Sequence, residues 1–498
     1  MINYWMPQGW RCMSSSIASP GITLEPIAEN YSLSDLAKID INIGPVGAAY
    51  RGILDSLNSI LKGRTFSAIY IEGLYGSGKT LTLRKAVYDL LSGPFKKDFE
   101  RIIPIYFFLG EMDFTLLQRF KTYVDEIKAY TQGVLPPRPY ILGDKEDWKS
   151  RLPILDECSK IASEIEKQYK EVAEREVSGF FELLREMNKR GYYPLLIFDE
   201  FERVLYTGEG LKTDAAKKAF ALFISKYLEL TRGHLYTGVF ILATTRPIDE
   251  LVDRAVNENR PHIRIIAEQL SIPMDKIVSD FPMTRDHIVY SDKFILRWYA
   301  KDLDLLAQKY GLVLHEDLIN LISLILPVPR AIIQIDRKIR MRLGVVEVVS
   351  LKKFYEVIEP RIDDIINVLK REIIPPQAKW HERFIALLKN GYVIVKGQDY
   401  NNIAKILEYP DTDPSKARQK VGQILKQLSA YGLFEKIGPR EYALSPNILA
   451  YALEIERLPD GTRTTKDEVL NKIKYAIKKK KEEEKEKRRE KEVKSEEE

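Results

Sequence analysis

The stretch from Gly73 to Thr80, GLYGSGKT, places three glycines, a lysine and a hydroxyl residue at a spacing that suits phosphate binding. It matches G-x-x-x-x-G-K-[ST] and lies between a β-rich apolar run and a segment of helical pattern. Glycines let the backbone curl with its N–H groups turned inward, and the start of the next helix adds a positive field. Lys79 would reach the β- and γ-phosphates, and the Thr80 hydroxyl would ligate Mg²⁺. The alternative is a chance glycine-rich turn, which the strand-to-helix context disfavours.

The spacing therefore predicts that the chain uses ATP and Mg²⁺ as cofactors. The expected nucleotide-binding residues form the loop and the start of the helix: Gly73, Gly76, Ser77, Gly78, Lys79, Thr80 and Leu81.

A second group of chemically useful residues ends the apolar run PLLIFDE. Such a run predicts a buried strand, and its end would place Asp199 at the carboxyl edge of a sheet, beside the phosphate loop. Asp199 is then the expected second ligand of Mg²⁺, and Glu200 is expected to polarise the attacking water. The alternative is a strand that ends in a solvated acidic turn. Together with the loop upstream, the pair predicts an ATPase.

The elements that must position these residues belong to a globular chain of several domains. Its 498 residues are 45% hydrophobic and 30% charged, which predicts two to four domains with ordinary cores. The longest apolar runs are about half a membrane span, and the N-terminus lacks a signal-peptide pattern, so we expect a cytoplasmic protein without a membrane partner. Cys12 and Cys158 are the only cysteines, and we expect both to be inert.

Four apolar, β-rich runs alternate with helical patterns and predict an α/β core, a parallel sheet covered by helices. The runs cover residues 67–73, 101–110, 192–200 and 236–245. A helix is expected over 46–63. Segment 110–180 is too long for a plain connection and predicts either extra helices or a mobile insertion. From 293 to 372 helical periodicity dominates without a good strand, and Pro375-Pro376 marks a break.

These residues together resemble the AAA+ ATPases, which carry such a loop, an Asp-Glu strand, a polar "sensor 1" residue on a further strand and a "sensor 2" arginine in a helical lid. The stretch FILATTRP is similar to the sensor-1 strand and would place Thr245 at that position. The stretch LPVPRAIIQIDRKIR is similar to the sensor-2 helix and would place Arg330 over the γ-phosphate. A structural arginine is the alternative for Arg330.

The resemblance also implies an arginine that acts on the γ-phosphate of a neighbouring subunit. The candidates are Arg254 and Arg260, in LVDRAVNENRPHIR. A homo-oligomer, or assembly with other ATPase subunits, is therefore an expected partnership.

The pattern of residues 376–446 predicts a winged helix with three helices and a hairpin. The stretch Ser415–Leu428 carries four basic residues and no acidic one, and the region holds eleven Lys/Arg against seven Asp/Glu. This charge predicts binding to double-stranded DNA, and the alternative is a winged helix that contacts protein. The expected DNA-binding residues lie on the third helix and the wing: Lys416, Arg418, Lys420, Lys426, Lys436 and Arg440.

The expected domains are an N-terminal arm (1–45), an AAA+ domain (46–292), a helical lid (293–375), a winged-helix domain (376–460) and a charged tail (461–498). The last 21 residues carry ten basic and nine acidic side chains, which predicts a solvated helix or a disordered tail.

A core, lid and winged helix in this order resemble the archaeal and eukaryotic origin-recognition initiator family. The resemblance implies an ATP-dependent DNA-binding switch. Two other functions stay open from the residues: a signal-transduction or phage-defence ATPase whose winged helix contacts protein, and an ATPase subunit of a larger DNA-processing machine.

Overall fold

The structure is a computed structural model that describes residues 30–496, apart from 64–65, 98–99, 109–114, 137, 203–213, 234–235, 281–289, 310, 345–347, 374–378 and 409–412. Within these ranges the predicted α/β core is present as one parallel sheet with the strand order β2-β3-β4-β1-β5. The strands are β1 (Phe66–Gly73), β2 (Ile102–Phe108), β3 (Tyr193–Asp199), β4 (Gly238–Thr244) and β5 (Tyr290–Leu296). Helices pack on the sheet, and this explains why the central strands are continuous apolar runs.

Strand β5 corrects the expectation that no good strand follows residue 293. It pairs with β1 along its whole length, so the predicted boundary at 292 cuts through a strand of the core. β5 lies at the sheet edge, where Asp292 is tolerated and Ile295 is 60% exposed. The apolar run of β5 is therefore too short to be recognised as a strand in the sequence. The packing is nevertheless close, since a Cβ added at Gly52 would lie 2.0 Å from the ring of Phe294.

Ten helices surround the sheet in the described part of the first unit. They are α1 (Leu33–Lys38), α2 (Gly44–Leu61), α3 (Lys79–Leu91), α4 (Leu116–Thr131), α5 (Lys145–Glu166), α6 (Val172–Lys189), α7 (Asp214–Gly233), α8 (Ile248–Glu258), α9 (Arg260–Leu270) and α10 (Met274–Asp280).

The long segment 110–180 is helical where it is described. Helices α4, α5 and α6 pack on one another and bury Phe120, Trp148 and Phe180 completely. Cys158 is enclosed in α5, where burial raises the pKa of its thiol to about 11. The extra length is therefore an added helical layer over the β2–β3 side of the sheet.

The next unit is mainly helical, as predicted for the lid. It contains α11 (Ala300–Lys309), β6 (Val313–Leu314), α12 (Glu316–Ile325), α13 (Pro329–Leu343), β7 (Val348–Val349) and α14 (Leu351–Val368), followed by a π-helical turn (Leu369–Ile373). The two short strands pair in parallel, a second departure from the expectation of helices alone.

The C-terminal unit contains the three helices and the hairpin that the sequence predicts. Its elements are α15 (Trp380–Lys389), β8 (Ile394–Val395), a 3₁₀ turn (Gly397–Asp399), α16 (Tyr400–Ile406), α17 (Pro414–Ala430), β9 (Phe434–Gly438), β10 (Glu441–Leu444) and α18 (Pro446–Ala452). The strands form an antiparallel sheet in the order β8-β10-β9. The predicted start of α17 is confirmed, because the Asp413 side chain accepts a hydrogen bond from the N–H of Ser415 at 2.8 Å.

The charged tail begins as a packed helix. The sequence predicted either a helix or a disordered tail, and the described residues form a helix, α19 (Lys466–Glu496). Its first turns bury Val469, Leu470, Ile473 and Ile477 against α17 and α18, so only the part beyond these turns has the composition of a solvated tail. None of the helices in the described ranges is long and apolar enough to cross a membrane.

Candidate nucleotide site

The loop between β1 and α3 has a shape that only glycine allows at two positions. Gly76 and Gly78 have φ angles of 84° and 102°, in the left-handed region. A Cβ at Gly76 would lie 3.0 Å from Cβ of Arg330, and one at Gly78 would lie 2.9 Å from Cγ1 of Val46. The loop is therefore curled as predicted, and it lies against the lid on one side and α2 on the other.

Lys79 is buried at the start of α3 and is held by the loop itself. Its Nζ donates to the carbonyl oxygens of Gly73 at 2.6 Å and Leu74 at 3.2 Å. Burial lowers the pKa of Lys79, and the carboxylates of Glu202, Asp199 and Glu200, in that order, oppose the shift. The ammonium group thus lies in an acidic, enclosed environment beside the loop.

Asp199 ends β3 and is fully buried. Its Oδ2 accepts a hydrogen bond from the hydroxyl of Tyr106 on β2 at 2.8 Å, and its Oδ1 accepts one from the N–H of Glu200 at 3.0 Å. Glu200 has φ 57°, so the chain turns sharply immediately after the strand. Sequence reasoning missed Tyr106, whose only signal is one hydroxyl within the apolar run IIPIYFF.

Thr245 follows β4 and contacts the same turn. Its Oγ1 donates to Oε1 of Glu202 at 2.8 Å, while the N–H of Phe201 donates to the carbonyl of Ala243 at 3.0 Å. Glu202 is a third acidic residue of the site, and sequence reasoning missed it. The neighbouring Thr244 turns away and donates to the carbonyl of Arg246 at 2.6 Å.

The strand order brings these residues together. β4 lies between β1 and β3, so the phosphate loop, the acidic end of β3 and the polar end of β4 meet at one edge of the sheet. The core is a parallel five-stranded sheet covered by helices. Thr80 lies at the start of α3 and Asp199 at the end of β3, and a hydroxyl with one carboxylate suits Mg²⁺, which takes few protein ligands when phosphate oxygens supply the rest. The described residues hold no cluster of three or more His, Cys, Asp or Glu that would bind a metal ion alone.

A narrow apolar cavity of about 60 Å³ adjoins the loop, well below the roughly 300 Å³ at which ligand pockets begin. It is lined by the arm, the core and the lid together, including Ile41, Val46, Gly78, Leu81, Trp298 and Pro329. The indole N–H of Trp298 donates to the carbonyl of Ser77 at 2.9 Å and so fixes the loop from the end of β5. Leu81 is one of the predicted nucleotide-binding residues, whereas Trp298 was not predicted, because β5 was not recognised in the sequence.

Arg330 reaches the loop from the start of α13. The guanidinium carbon lies 4.4 Å from the ring centroid of Tyr75, a cation–π distance. Its Nε is buried without a hydrogen-bond partner among the described residues. The structure thus brings the predicted sensor-2 residue to the phosphate loop, while its effect on a γ-phosphate stays a prediction.

The arginines expected to act in trans are not part of this cluster in the described structure. Arg260 is exposed at the start of α9 and lines a surface groove with Arg264 and Glu268. Arg254 lies in α8, and its side chain is outside the described part of the chain. An assignment to either residue stays a prediction.

The six residues expected to contact DNA are exposed, and they lie on α17 and the β9–β10 hairpin: Lys416, Arg418, Lys420, Lys426, Lys436 and Arg440. The buried face of α17 is formed by Ala417, Val421 and Leu425, so the basic residues are left on its outer surface. Arg418 also donates to Oδ1 of Asn401 at 2.9 Å. DNA contact by these residues stays a prediction.

No family model and no curated protein matches the chain. Three solved structures are similar over most of its length. They are the Aeropyrum pernix ORC1 protein in complex with DNA (14% identity, 86% of this chain and 96% of that one, TM-score 0.37), Cdc6p from Pyrobaculum aerophilum (14%, 86% and 94%, 0.36) and the Aeropyrum pernix ORC2 protein in ADPNP–ADP complexes (15%, 87% and 94%, 0.35). These are origin-recognition and Cdc6 proteins, the group that the sequence resembles. Likeness at this level carries no function over to this chain.

Proposed function

We propose that the protein is an ATP-dependent DNA-binding switch with slow Mg²⁺-dependent ATPase activity. The observation that carries the proposal is the convergence of the phosphate loop, Asp199 and the lid residue Arg330 on one edge of the sheet. Because these residues come from the core and from the lid, a bound nucleotide would contact both units at once. Nucleotide occupancy can therefore control how the lid and the domain after it are held.

In the proposed mechanism, Lys79 leaves the carbonyls of Gly73 and Leu74 and binds the β- and γ-phosphates. Thr80 and Asp199 would hold the metal, and Tyr106 fixes the Asp199 carboxylate in position. Mg²⁺, when bound, neutralises charge on the phosphate oxygens. Glu200 polarises the attacking water, and Thr245 acts on the site through its bond to Glu202.

Arg330 binds the terminal phosphate and keeps the lid closed, so the C-terminal domain is presented to double-stranded DNA. The six exposed basic residues of α17 and the hairpin then contact DNA phosphates. Hydrolysis releases the lid. Assembly into a homo-oligomer, or with other ATPase subunits, would bring an arginine such as Arg260 to the neighbouring site.

The decisive experiment measures the ATPase rate with and without duplex DNA for the parent and for Glu200→Gln. We expect DNA to stimulate the parent and the variant to lose hydrolysis while it still binds ATP. If neither ATP nor Lys79→Ala changes DNA binding in a gel-shift assay, the proposed switch is overturned.

The salt dependence of DNA affinity gives a second test. A clear negative slope of log K against log salt indicates several phosphate contacts. A slope near zero would mean that the C-terminal domain contacts protein instead, as in a signalling or defence ATPase.

A further inference from the structure

A segment after the C-terminal domain reaches the phosphate loop. We call residues 454–464, between α18 and α19, the C-terminal strap. The backbone N–H of Tyr75, the third residue of the loop, donates to the carbonyl of Pro459 in this strap at 3.0 Å. The guanidinium carbon of Arg457 lies 5.9 Å from the ring centroid of Tyr75. Arg330 and Arg457, from two different units, therefore both contact the same aromatic ring of the loop.

The strap is anchored to the lid as well. The Glu454 carboxylate accepts hydrogen bonds from Arg361 at 2.8 and 3.1 Å and pairs with Nζ of Lys338 at 3.0 Å. The backbone carbonyl of Glu454 accepts a hydrogen bond from Nε2 of Gln334 at 3.3 Å. These contacts hold the start of the strap on α13 and α14, so that Arg457 is directed towards the loop.

Arg457 is not neutralised by a carboxylate in the described structure. Within the described ranges its side chain contacts the Tyr75 ring and donates a hydrogen bond from Nη1 to the carbonyl of Gly461 at 3.2 Å. A guanidinium that stacks on a ring keeps free N–H groups in its plane and is the group best suited to bind phosphate. Arg457 thus has both the position and the unused donors to take part in nucleotide binding.

The electrostatics around Arg457 favour an anion. Arg330 and Arg457 line a cleft of about 690 Å³ between the lid and the strap. Four further basic residues and two acidic residues line the same cleft: Arg337, Lys338, Arg361, Arg463, Glu454 and Glu456. Because Glu454 is paired with two of these cations, the cleft keeps an excess of positive charge at the end of the phosphate loop.

We propose that Arg457 is a second arginine for the terminal phosphate of ATP, contributed in cis by the C-terminal strap. This inference rests on the proposed ATP-binding function and extends it. The γ-phosphate binds both arginines that contact Tyr75, Arg330 and Arg457, whereas the shorter diphosphate of ADP does not reach Arg457. ATP therefore ties the C-terminal domain to the core through the strap, and loss of the γ-phosphate frees it.

The test compares the affinities of ATP and ADP, each with Mg²⁺, by calorimetry on the full chain. We expect Arg457→Gln to weaken ATP binding about tenfold, the size of one lost charge-assisted hydrogen bond, and to change ADP binding less than twofold. Arg457→Lys keeps the charge and should recover part of the ATP affinity. The matched control is Arg371→Gln, an exposed arginine of the π-helical turn that does not line the cleft, and it should change neither affinity.

Limited proteolysis supplies a readout that does not depend on activity. ATP should protect the strap of the parent from cleavage more than ADP does, and this difference should disappear in Arg457→Gln. If that variant fails to fold, Arg457→Lys is compared with the parent in the same two measurements.

The inference is overturned if Arg457→Gln binds ATP like the parent, loses ATP and ADP affinity equally, or behaves like Arg371→Gln. In these cases the ATP-binding function still stands, because the parent binds ATP. A parent that binds neither nucleotide would instead overturn the proposed function itself.

Discussion

The two ends of the nucleotide site are built from different kinds of contact. At the core end, Asp199 is 0% exposed and Lys79 is 6% exposed, and their hydrogen bonds are enclosed by the sheet and its helices. At the lid end, Arg361 and Glu454 keep 41% and 48% of their side chains exposed. Removing a partner from a buried charge is costly, whereas an exposed ion pair contributes about 0–1 kcal/mol. Because the exposed pair joins the lid to the strap, the difference indicates a rigid core end and a lid end from which the strap can separate.

The largest effect is expected from the core end. Lys79→Ala removes the ammonium group that would bind the β- and γ-phosphates, and we expect ATP binding to fall below detection by calorimetry. Lys97→Ala, at an exposed position outside the site, should bind ATP like the parent. If Lys79→Ala retains the affinity of the parent, the loop is not the nucleotide site and the comparison between its two ends has no basis.

A smaller effect, still at the core end, is expected from Tyr106→Phe. This change removes the donor to the buried Asp199 carboxylate, and we expect a loss of about 1.5–3 kcal/mol in the free energy of unfolding, measured with urea. Tyr475→Phe is the control, because Tyr475 is 70% exposed on α19 and should cost almost nothing. Equal stability of the two variants would show that the core end is less tightly held than its burial indicates.

The smallest effect on stability is expected at the lid end. Glu454→Gln weakens the ion pairs to Arg361 and Lys338, and we expect a loss below about 1 kcal/mol, because the pair is half exposed. The strap should nevertheless become more accessible to protease. A large loss of stability without a change in cleavage would contradict the view that this end is the movable one.

The pH dependence of the same contact has a definite sign. Burial raises the pKa of Glu454, but the bonds from Arg361 and Lys338 outweigh it, so the net pKa is below its ordinary value. The contact therefore stabilises the fold above the ordinary pKa of a glutamate and is lost as the pH falls through the lower, folded-state value. We expect protease protection of the strap to be constant from pH 6 to 8, to decrease only in acid, and to show no acid dependence in Glu454→Gln.

Much of the fold was predictable because its signals are local. The four predicted strands, β1 to β4, are buried along nearly their whole length and so appear as apolar runs, and the glycines of the loop are required where φ is positive. β5 was missed because it is only partly buried and carries the polar residues Asp292 and Lys293, and Trp298, which holds the loop from its end, was missed with it. Tyr106 and Glu202 were also missed, since nothing in their neighbouring residues marks them as partners of Asp199 and Thr245.

The sequence by itself determined the phosphate loop, the acidic strand end, the order of the units and the basic surface of α17. Each of these depends on residue types at short spacing, which local backbone geometry converts directly into structure. Only the tertiary structure decided which distant side chains contact the loop. Tyr75 and Pro459 are nearly four hundred residues apart in the chain, and their hydrogen bond depends on how core, lid and strap pack together, which no local pattern encodes.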